Sequence, residues 1–370
     1  MDVLIPFYIG AMSGFDPEAA RRRGRGALSN APSRFEAHGR EAVDDGWAQP
    51  DDLPPLRTEI SVERPRSVIT RNASPDVSFD RSINPYRGCE HGCIYCFARP
   101  SHAWLGLSPG LDFETKLVAR PEAPEVLERE LARPSYTPAT IAIGTNTDPY
   151  QPIERDWRVM RRVLEVLDAH DHPVAIVTKG TLIERDIDIL GPMAARGLAK
   201  VGISVTTLDA GLSRKMEPRV PLPVRRIETI RRLADAGIPV RVMVSPVVPG
   251  LTDHETEAIL GAAAGAGARA ASAILLRLPR EVAGLFREWL AEAVPGRAAK
   301  VMARVREAHG GRDYDPEWGK RMQGEGAFAE LHRRRFDIAC RRLGLAGELE
   351  PLRTDLFRVP PKAGDQLELF

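Results

Sequence analysis

Three of the four cysteines in this 370-residue chain, Cys89, Cys93 and Cys96, fall within eight positions; the fourth, Cys340, stands far away. The segment reads Asn84-Pro85-Tyr86-Arg87-Gly88-Cys89-Glu90-His91-Gly92-Cys93-Ile94-Tyr95-Cys96-Phe97, a Cys-x3-Cys-x2-Cys spacing directly after a short β-rich run. A chain that groups reduced thiols this way binds metal or does redox chemistry. Three thiolates on one loop can ligate three irons of a [4Fe–4S] cluster. With no fourth cysteine nearby, the fourth iron is left open to an outside ligand. Pro85, Gly88 and Gly92 allow the tight backbone such a loop needs. The rival is a structural zinc site that recruits His91, His102 or Cys340. Zinc ribbons pair two knuckles, however, and here there is one.

The elements that must position this loop follow from patterning. Short apolar runs recur from about residue 80: 82–86, 140–143, 174–177, 201–205, 240–244 and 273–276, the first being the weakest. Helical patterns lie between them, as at 154–170 and 222–237. Continuous apolar strands separated by helices indicate a parallel sheet buried on both faces. Six such units give an α/β fold, a partial (βα)6 TIM-type barrel, whose chemistry sits at the C-terminal ends of the strands. A Rossmann reading fails, because Gly261, Gly265 and Gly267 precede a strand rather than follow one. They read as helix packing and a C-cap.

The expected organisation is an N-terminal extension over 1–78, largely irregular, a core over 79–295, and a C-terminal helical extension and tail over 296–370. Helices are expected at 298–308 and 326–343, ahead of the tail DQLELF. The extension reads as an arm or a wrap over the core; its Arg21–Gly26 run, RRRGRG, would also suit phosphates.

Composition narrows the function. Lys+Arg 52 against Asp+Glu 51 leaves a net charge of +1, which excludes a wholesale polycation and keeps nucleic acid open only through a local basic groove. No apolar run reaches the roughly 18–20 residues of a membrane span. The opening MDVLIPFYIGAMSGF lacks the basic n-region of a secretory signal, so a cytoplasmic location is expected. Only seven of the 52 basic residues are lysine, so a lysine at a strand end is worth weighing.

The cysteine motif resembles that of the radical S-adenosylmethionine (radical SAM) superfamily, in which an aromatic residue, here Tyr95, precedes the third cysteine. NPYRGCEHGCIYC (84–96), GTNTDPYQPIE (144–154), VTKG (177–180), ISVTTLD (203–209) and SPVVPGLTDHE (245–255) look like the branch that includes spore photoproduct lyase, with the likeness running over roughly 60–345. The resemblance implies an oxygen-sensitive enzyme. Its [4Fe–4S] cluster is held by Cys89, Cys93 and Cys96. S-adenosylmethionine is its second cofactor, and a flavodoxin or ferredoxin is its electron donor. Reductive cleavage would give a 5′-deoxyadenosyl radical that takes hydrogen from an unassigned substrate, with nucleic acid as the analogy.

The same resemblance assigns cofactor contacts. Asp148 would hold the ammonium of S-adenosylmethionine, Lys179 and Ser204 its carboxylate, and the Tyr95 backbone its adenine, with Val247 and Val248 as an apolar wall. Thr145 stands where the hydrogen-donor cysteine of spore photoproduct lyase would fall, and a hydroxyl is a poor hydrogen-atom donor. Cys340 reads as a buried helix cysteine, Arg333–Arg335 as a solvated face, and Trp104 and Tyr150 as core. Against this stand a non-catalytic Fe–S or zinc-binding interaction protein and a metal-independent barrel hydrolase.

Overall fold

The computed structural model describes residues 22–35 and 55–361. The opening apolar run, Arg21 and the DQLELF ending lie outside the described residues. Ten strands are present among them: β1 (Glu59–Val62), β2 (Thr70–Arg71), β3 (Arg81–Ile83), β4 (Tyr86–Arg87), β5 (Lys116–Ala119), β6 (Ile141–Ile143), β7 (Val174–Thr178), β8 (Ala199–Ser204), β9 (Val240–Val247) and β10 (Ala270–Leu275). The larger sheet has the order β10-β9-β8-β7-β6-β3-β2. Its six strands from β3 to β10 are parallel, and β2 joins antiparallel to β3 at one edge. This is the expected six-unit barrel core.

Patterning explains why each strand takes its place. Along β9, Val240, Val242 and Val244 are buried while Arg241, Met243 and Ser245 are only partly so. The period of two turns the valines onto the outer helices and the other set toward the concave interior. The helix Val159–Ala169 buries Val159, Met160, Val163, Leu164 and Leu167, a stripe at helical spacing. It joins Ile141, Ile143, Val174, Ile176, Val201 and Ile203 in one core. Each such side chain contributes about 1.5–3 kcal/mol of burial.

Three departures from the sequence expectation have local causes. The run 82–86 is not one strand. It breaks at Asn84-Pro85, where proline offers no N–H, and Tyr86–Arg87 turns away to pair with β5 in a three-stranded sheet. The expected helix 154–170 breaks at Arg158, whose φ is 51°, into Glu154–Trp157 and Val159–Ala169. The buried Glu154 carboxylate then accepts from Met160 N (3.0 Å) and Arg161 N (3.3 Å), supplying anionic partners to the first turn of the second helix. Finally, residues 55–71, expected to be irregular, contribute β1 and β2.

The C-terminal helices Pro295–Ala308 and Gly326–Leu343 form as expected. After them the chain crosses the N-terminal ends of the strands as a strap. Ala346 N donates to Arg269 O (2.9 Å), Arg353 N to Gly197 O (3.0 Å) and Arg358 N to His170 O (3.0 Å). The Phe357 ring packs on Tyr136 and His172, with centroids 5.4 and 5.5 Å away. Six strands leave a lateral slot beside β10. There the 72–79 loop meets the segment between the two C-terminal helices: Asp76 accepts from Gly319 N (2.7 Å) and Arg321 Nε, and Ser74 Oγ accepts from Arg321 Nη2 (2.6 Å).

Candidate functional site

The cysteine loop follows β4 at the C-terminal end of the barrel. Cys89 and Cys93 are buried, Cys96 is partly so, and all carry free thiols. Gly88 and Gly92 have φ of 73° and 66°. A Cβ on Gly92 would stand 2.6 Å from Glu114 Oε2, so glycine is required there by both conformation and space.

Beneath the loop lies a fully buried ion pair, Arg99–Glu114, that no local sequence pattern marks. Arg99 donates to the carbonyls of Cys93 (3.0 Å), Gly92 (3.1 Å), Pro109 (3.1 Å) and Gly110 (3.0 Å), and to Glu114 Oε1 (2.5 Å). All five guanidinium donors are spent. Glu114 also accepts the amides of Gly26 (2.8 Å) and Ala27 (2.9 Å), so residues 22–35 are fastened to the underside of the loop. Arg25 of the basic run donates to Glu114 O (2.9 Å) and Leu56 O (2.9 Å), which makes it part of the scaffold.

The stretch after β6 grips the loop from the other side. Thr147 Oγ1 donates to Tyr86 O (3.0 Å), Gln151 Oε1 accepts from Glu90 N (2.8 Å), and Gln151 Nε2 donates to Gly88 O (3.2 Å). Asp148 accepts from Tyr150 N (2.9 Å), Thr178 Oγ1 (2.6 Å) and Lys179 N (2.8 Å), and His91 Nδ1 stands 3.3 Å from its Oδ2. Burial acts to raise the Asp148 pKa, but His91 and these donors outweigh it and hold the carboxyl at about 2. Both its oxygens are thus engaged with protein groups. Asp148 links the ends of β6 and β7 to the cysteine loop.

Lys179 and Ser204 are brought together. Lys179 Nζ donates to Ser204 Oγ (2.8 Å), which donates to Ser245 O (2.9 Å), across the ends of β7, β8 and β9. Lys179 Nζ also lies 5.9 Å from the centroid of the Tyr95 ring. The Tyr95 hydroxyl donates to Glu217, which is locked by Arg226 (2.5 Å) and Thr206 (2.6 Å). The Tyr95 ring is therefore committed to packing, and its backbone is the part left near the cysteines. Arg226 Nη1 also holds Ser204 O (3.0 Å). Val247 and Val248 are fully buried at the end of β9. Thr145 stands two residues past β6, partly exposed.

The donor set fits an iron–sulfur cluster with S-adenosylmethionine. Burial raises the pKa of all three thiols, with Asp148 adding to it at Cys89, and metal binding would remove those protons. Among the described residues, no three His, Cys, Asp or Glu side chains converge as one metal ion would require. Cluster thiolates each take a separate iron and need not converge. The auxiliary zinc ligands are engaged elsewhere: His91 faces Asp148, His102 Nε2 bonds Lys116 O (2.9 Å), and Cys340 lies in the main core. Ser245 Oγ and Ser272 Oγ are buried polar atoms without a protein partner, as expected where a polar ligand belongs.

The sequence profile of the Radical SAM superfamily matches residues 83–263, from β3 through most of the helix before β10. A Mycobacterium tuberculosis protein, itself uncharacterised, is 36% identical over 289 residues, covering 77% of this chain and 81% of its own. The chain belongs to the radical SAM superfamily. It is an enzyme of that class, which works with a [4Fe–4S] cluster and S-adenosylmethionine, and this sets aside the zinc, interaction-protein and hydrolase readings. An uncharacterised Methanocaldococcus jannaschii protein is 27% identical over 173 residues, 47% of this chain and 62% of that protein. Spore photoproduct lyase complexed with dinucleoside spore photoproduct has the same fold, with a TM-score of 0.53 at 14% identity over 77% of this chain and 78% of that one. A mutant of that lyase with bound AdoMet and dinucleoside spore photoproduct gives 0.52 at 14% identity, covering 77% of each chain.

One sequence expectation needs correcting. Trp104 is 71% exposed and leans on Phe35 at 4.7 Å, so it is not core. The short helical stretch 99–105 turns it outward while His102 and Ala103 face inward. Tyr150 and Cys340 are buried as read. The clamp residues Arg99, Glu114, Gln151, Glu217 and Arg226 went unread, because a buried charge is indistinguishable by type from a solvated one. For Gln151 the available signal was the four carboxylates and amides of GTNTDPYQPIE, Asn146, Asp148, Gln151 and Glu154.

No helix among the described residues is long and apolar enough to cross a membrane.

Proposed function

We propose that the protein binds S-adenosylmethionine at the barrel mouth, cleaves it reductively, and acts on a nucleic-acid-related substrate. The observation that supports this most strongly is the Lys179–Ser204 hydrogen bond (2.8 Å) facing the three-thiol loop. Cys89, Cys93 and Cys96 would hold the cluster. When bound, the cluster would supply one electron for reductive cleavage of the S–C5′ bond, with methionine as the leaving group and hydrogen-atom abstraction from substrate as the chemistry this makes available. Lys179 offers a cation to the carboxylate of S-adenosylmethionine, and Ser204, on turning its one hydroxyl proton away from Ser245 O, a donor, in a site where low dielectric strengthens both. Asp148, with both oxygens engaged, acts as a positioning residue for Lys179 and His91 rather than as the ammonium acceptor. Val248 and the Tyr95 backbone offer an apolar seat for adenine, and Glu217–Arg226 fixes the Tyr95 ring behind it. Thr145 supplies no hydrogen atom, so the reading includes no protein donor at that position. A flavodoxin or ferredoxin of the cytoplasm would deliver the electron.

The test is anaerobic reconstitution with iron and sulfide, reduction with dithionite, and addition of S-adenosylmethionine. Formation of 5′-deoxyadenosine is expected even without substrate; its absence with an intact cluster would refute the reading. Lys179→Ala is expected to weaken S-adenosylmethionine binding by about 10–100-fold, the loss of one charged hydrogen bond, with the cluster retained. Unchanged affinity would remove Lys179 from the site.

A further inference from the structure

Arg277 stands two residues past the end of β10, on the rim that also carries the cysteine loop. Its guanidinium carbon lies over the Phe97 ring, 4.5 Å from the centroid, and Phe97 directly follows Cys96. A guanidinium stacked on a ring spends none of its in-plane N–H donors. Among the described residues Arg277 has no hydrogen-bond acceptor and no ion-pair partner. Arg99, ten residues from Cys89 in the same loop region, is the opposite case, with every donor spent.

No acidic group bonds Arg277, although Tyr314, Asp76 and Cys96 lie within electrostatic range. Asp76 is within electrostatic range of Arg277, but its oxygens already serve Gly319 N and Arg321. Arg321 adds a second positive charge nearby. Leaving a partly buried cation unpaired is costly unless a ligand completes it. Phe97, although apolar and beside a cluster cysteine, is 47% exposed, and Trp318 on the neighbouring loop is 58% exposed. Lys179, the cation read for S-adenosylmethionine, is three strands away around the sheet, at the end of β7.

We propose that Arg277 and Phe97 form a nucleotide subsite, the guanidinium taking a phosphate and the exposed ring a base. Arg donates two parallel hydrogen bonds to a phosphate, and an aromatic ring accepts any base face. The proposal deepens the radical SAM reading by placing a substrate phosphate on the β10 side of the mouth, opposite the cofactor carboxylate.

Binding without turnover tests it. Anaerobically reconstituted protein with S-adenosylmethionine is titrated with each of the four deoxynucleoside 5′-monophosphates and with the matching nucleosides. At least one monophosphate is expected to bind tenfold or more tighter than its nucleoside. Arg277→Gln should erase that ratio and leave nucleoside affinity unchanged; Arg277→Lys should keep part of it. Phe97→Leu should weaken nucleotide and nucleoside alike by about three- to tenfold. Cluster absorbance and S-adenosylmethionine affinity should be unchanged in Arg277→Lys. An unchanged ratio in Arg277→Gln overturns the proposal. So does loss of S-adenosylmethionine affinity in both Arg277 variants, which would assign the guanidinium to the cofactor. So does the absence of nucleotide binding by the wild type. Because 5′-deoxyadenosine formation is read separately, failure here leaves the radical reading standing.

Discussion

At the floor of the barrel, Phe357 packs on Tyr136 and His172, Tyr136 OH bonds His172 Nε2 at 2.6 Å, and the strap's backbone bonds His170, Gly197 and Arg269 in the connections that lead into β7, β8 and β10. At the mouth, three thiols stand free, Ser245 Oγ and Ser272 Oγ lack partners, and Arg277 has none of its donors engaged. The floor is closed by ring packing and strap hydrogen bonds, with His170 Nε2 and Arg241 Nε as its unpartnered buried atoms, whereas the mouth gathers its unpartnered groups around the thiols. Buried groups without partners cost stability, and at the mouth they stand where a ligand can complete them. The contrast separates residues that hold the barrel from residues that await something.

Substituting the cysteines would break that contrast most sharply. Alanine at Cys89, Cys93 or Cys96 should abolish cluster assembly, read as iron content and visible absorbance, while Cys340→Ala keeps both. Cluster loss with Cys340→Ala would show that the core cysteine is a ligand after all. Next in size is the clamp that belongs to both classes, scaffold in kind but placed under the mouth. Glu114→Ala leaves Arg99 as a buried, unpaired charge and should cost about 3–5 kcal/mol of unfolding free energy, with reduced cluster yield. A loss below 1 kcal/mol in denaturant titration would mean the pair is not buried as described.

The floor should show its own signature in acid. Burial, with Arg81 and His170 adding to it, pushes His172 down to about 4. The unfolded ring titrates near 6.5. His172 therefore contributes fully above about pH 6.5, and its contribution is lost as pH falls through about 4. The loss is on the order of 3 kcal/mol. His172→Gln should flatten the fall of stability between pH 6.5 and 4 without changing S-adenosylmethionine affinity at pH 7.5. An equally steep fall would place the acid sensitivity elsewhere.

Much of this was legible before the structure. Six apolar runs at βα spacing are read easily because each strand packs on helices at its sides, so periodicity survives in the sequence. Cys89, Cys93 and Cys96 are legible because cluster ligands share one loop. Lys179 and Ser204 were legible as strand-end residues, and they meet. The partners of Asp148 are illegible locally, because they come from three places in the chain, His91, Tyr150 and Thr178-Lys179. The clamps were illegible for a related reason. Arg99 and Glu114 are 15 residues apart, Glu114 and Gly26 are 88 apart, and no local pattern records such a contact. The break at Arg158 was hidden because the apolar stripe continues across it; the cause is Glu154 turning inward to meet Tyr86 OH and Arg185 (2.7 Å).

The hydrogen bonds from Gly26 and Ala27 to Glu114 also impose an order in time. The ribosome makes residues 22–35 early, yet the carboxylate that receives them is 88 and 87 residues downstream. Closing so long a connection has an entropic cost that local elements do not carry. Glu114 in turn is held by Arg99, inside the very loop that carries the cysteines. The segment made early therefore cannot take this seat until Glu114, and with it the whole cysteine loop, has been made.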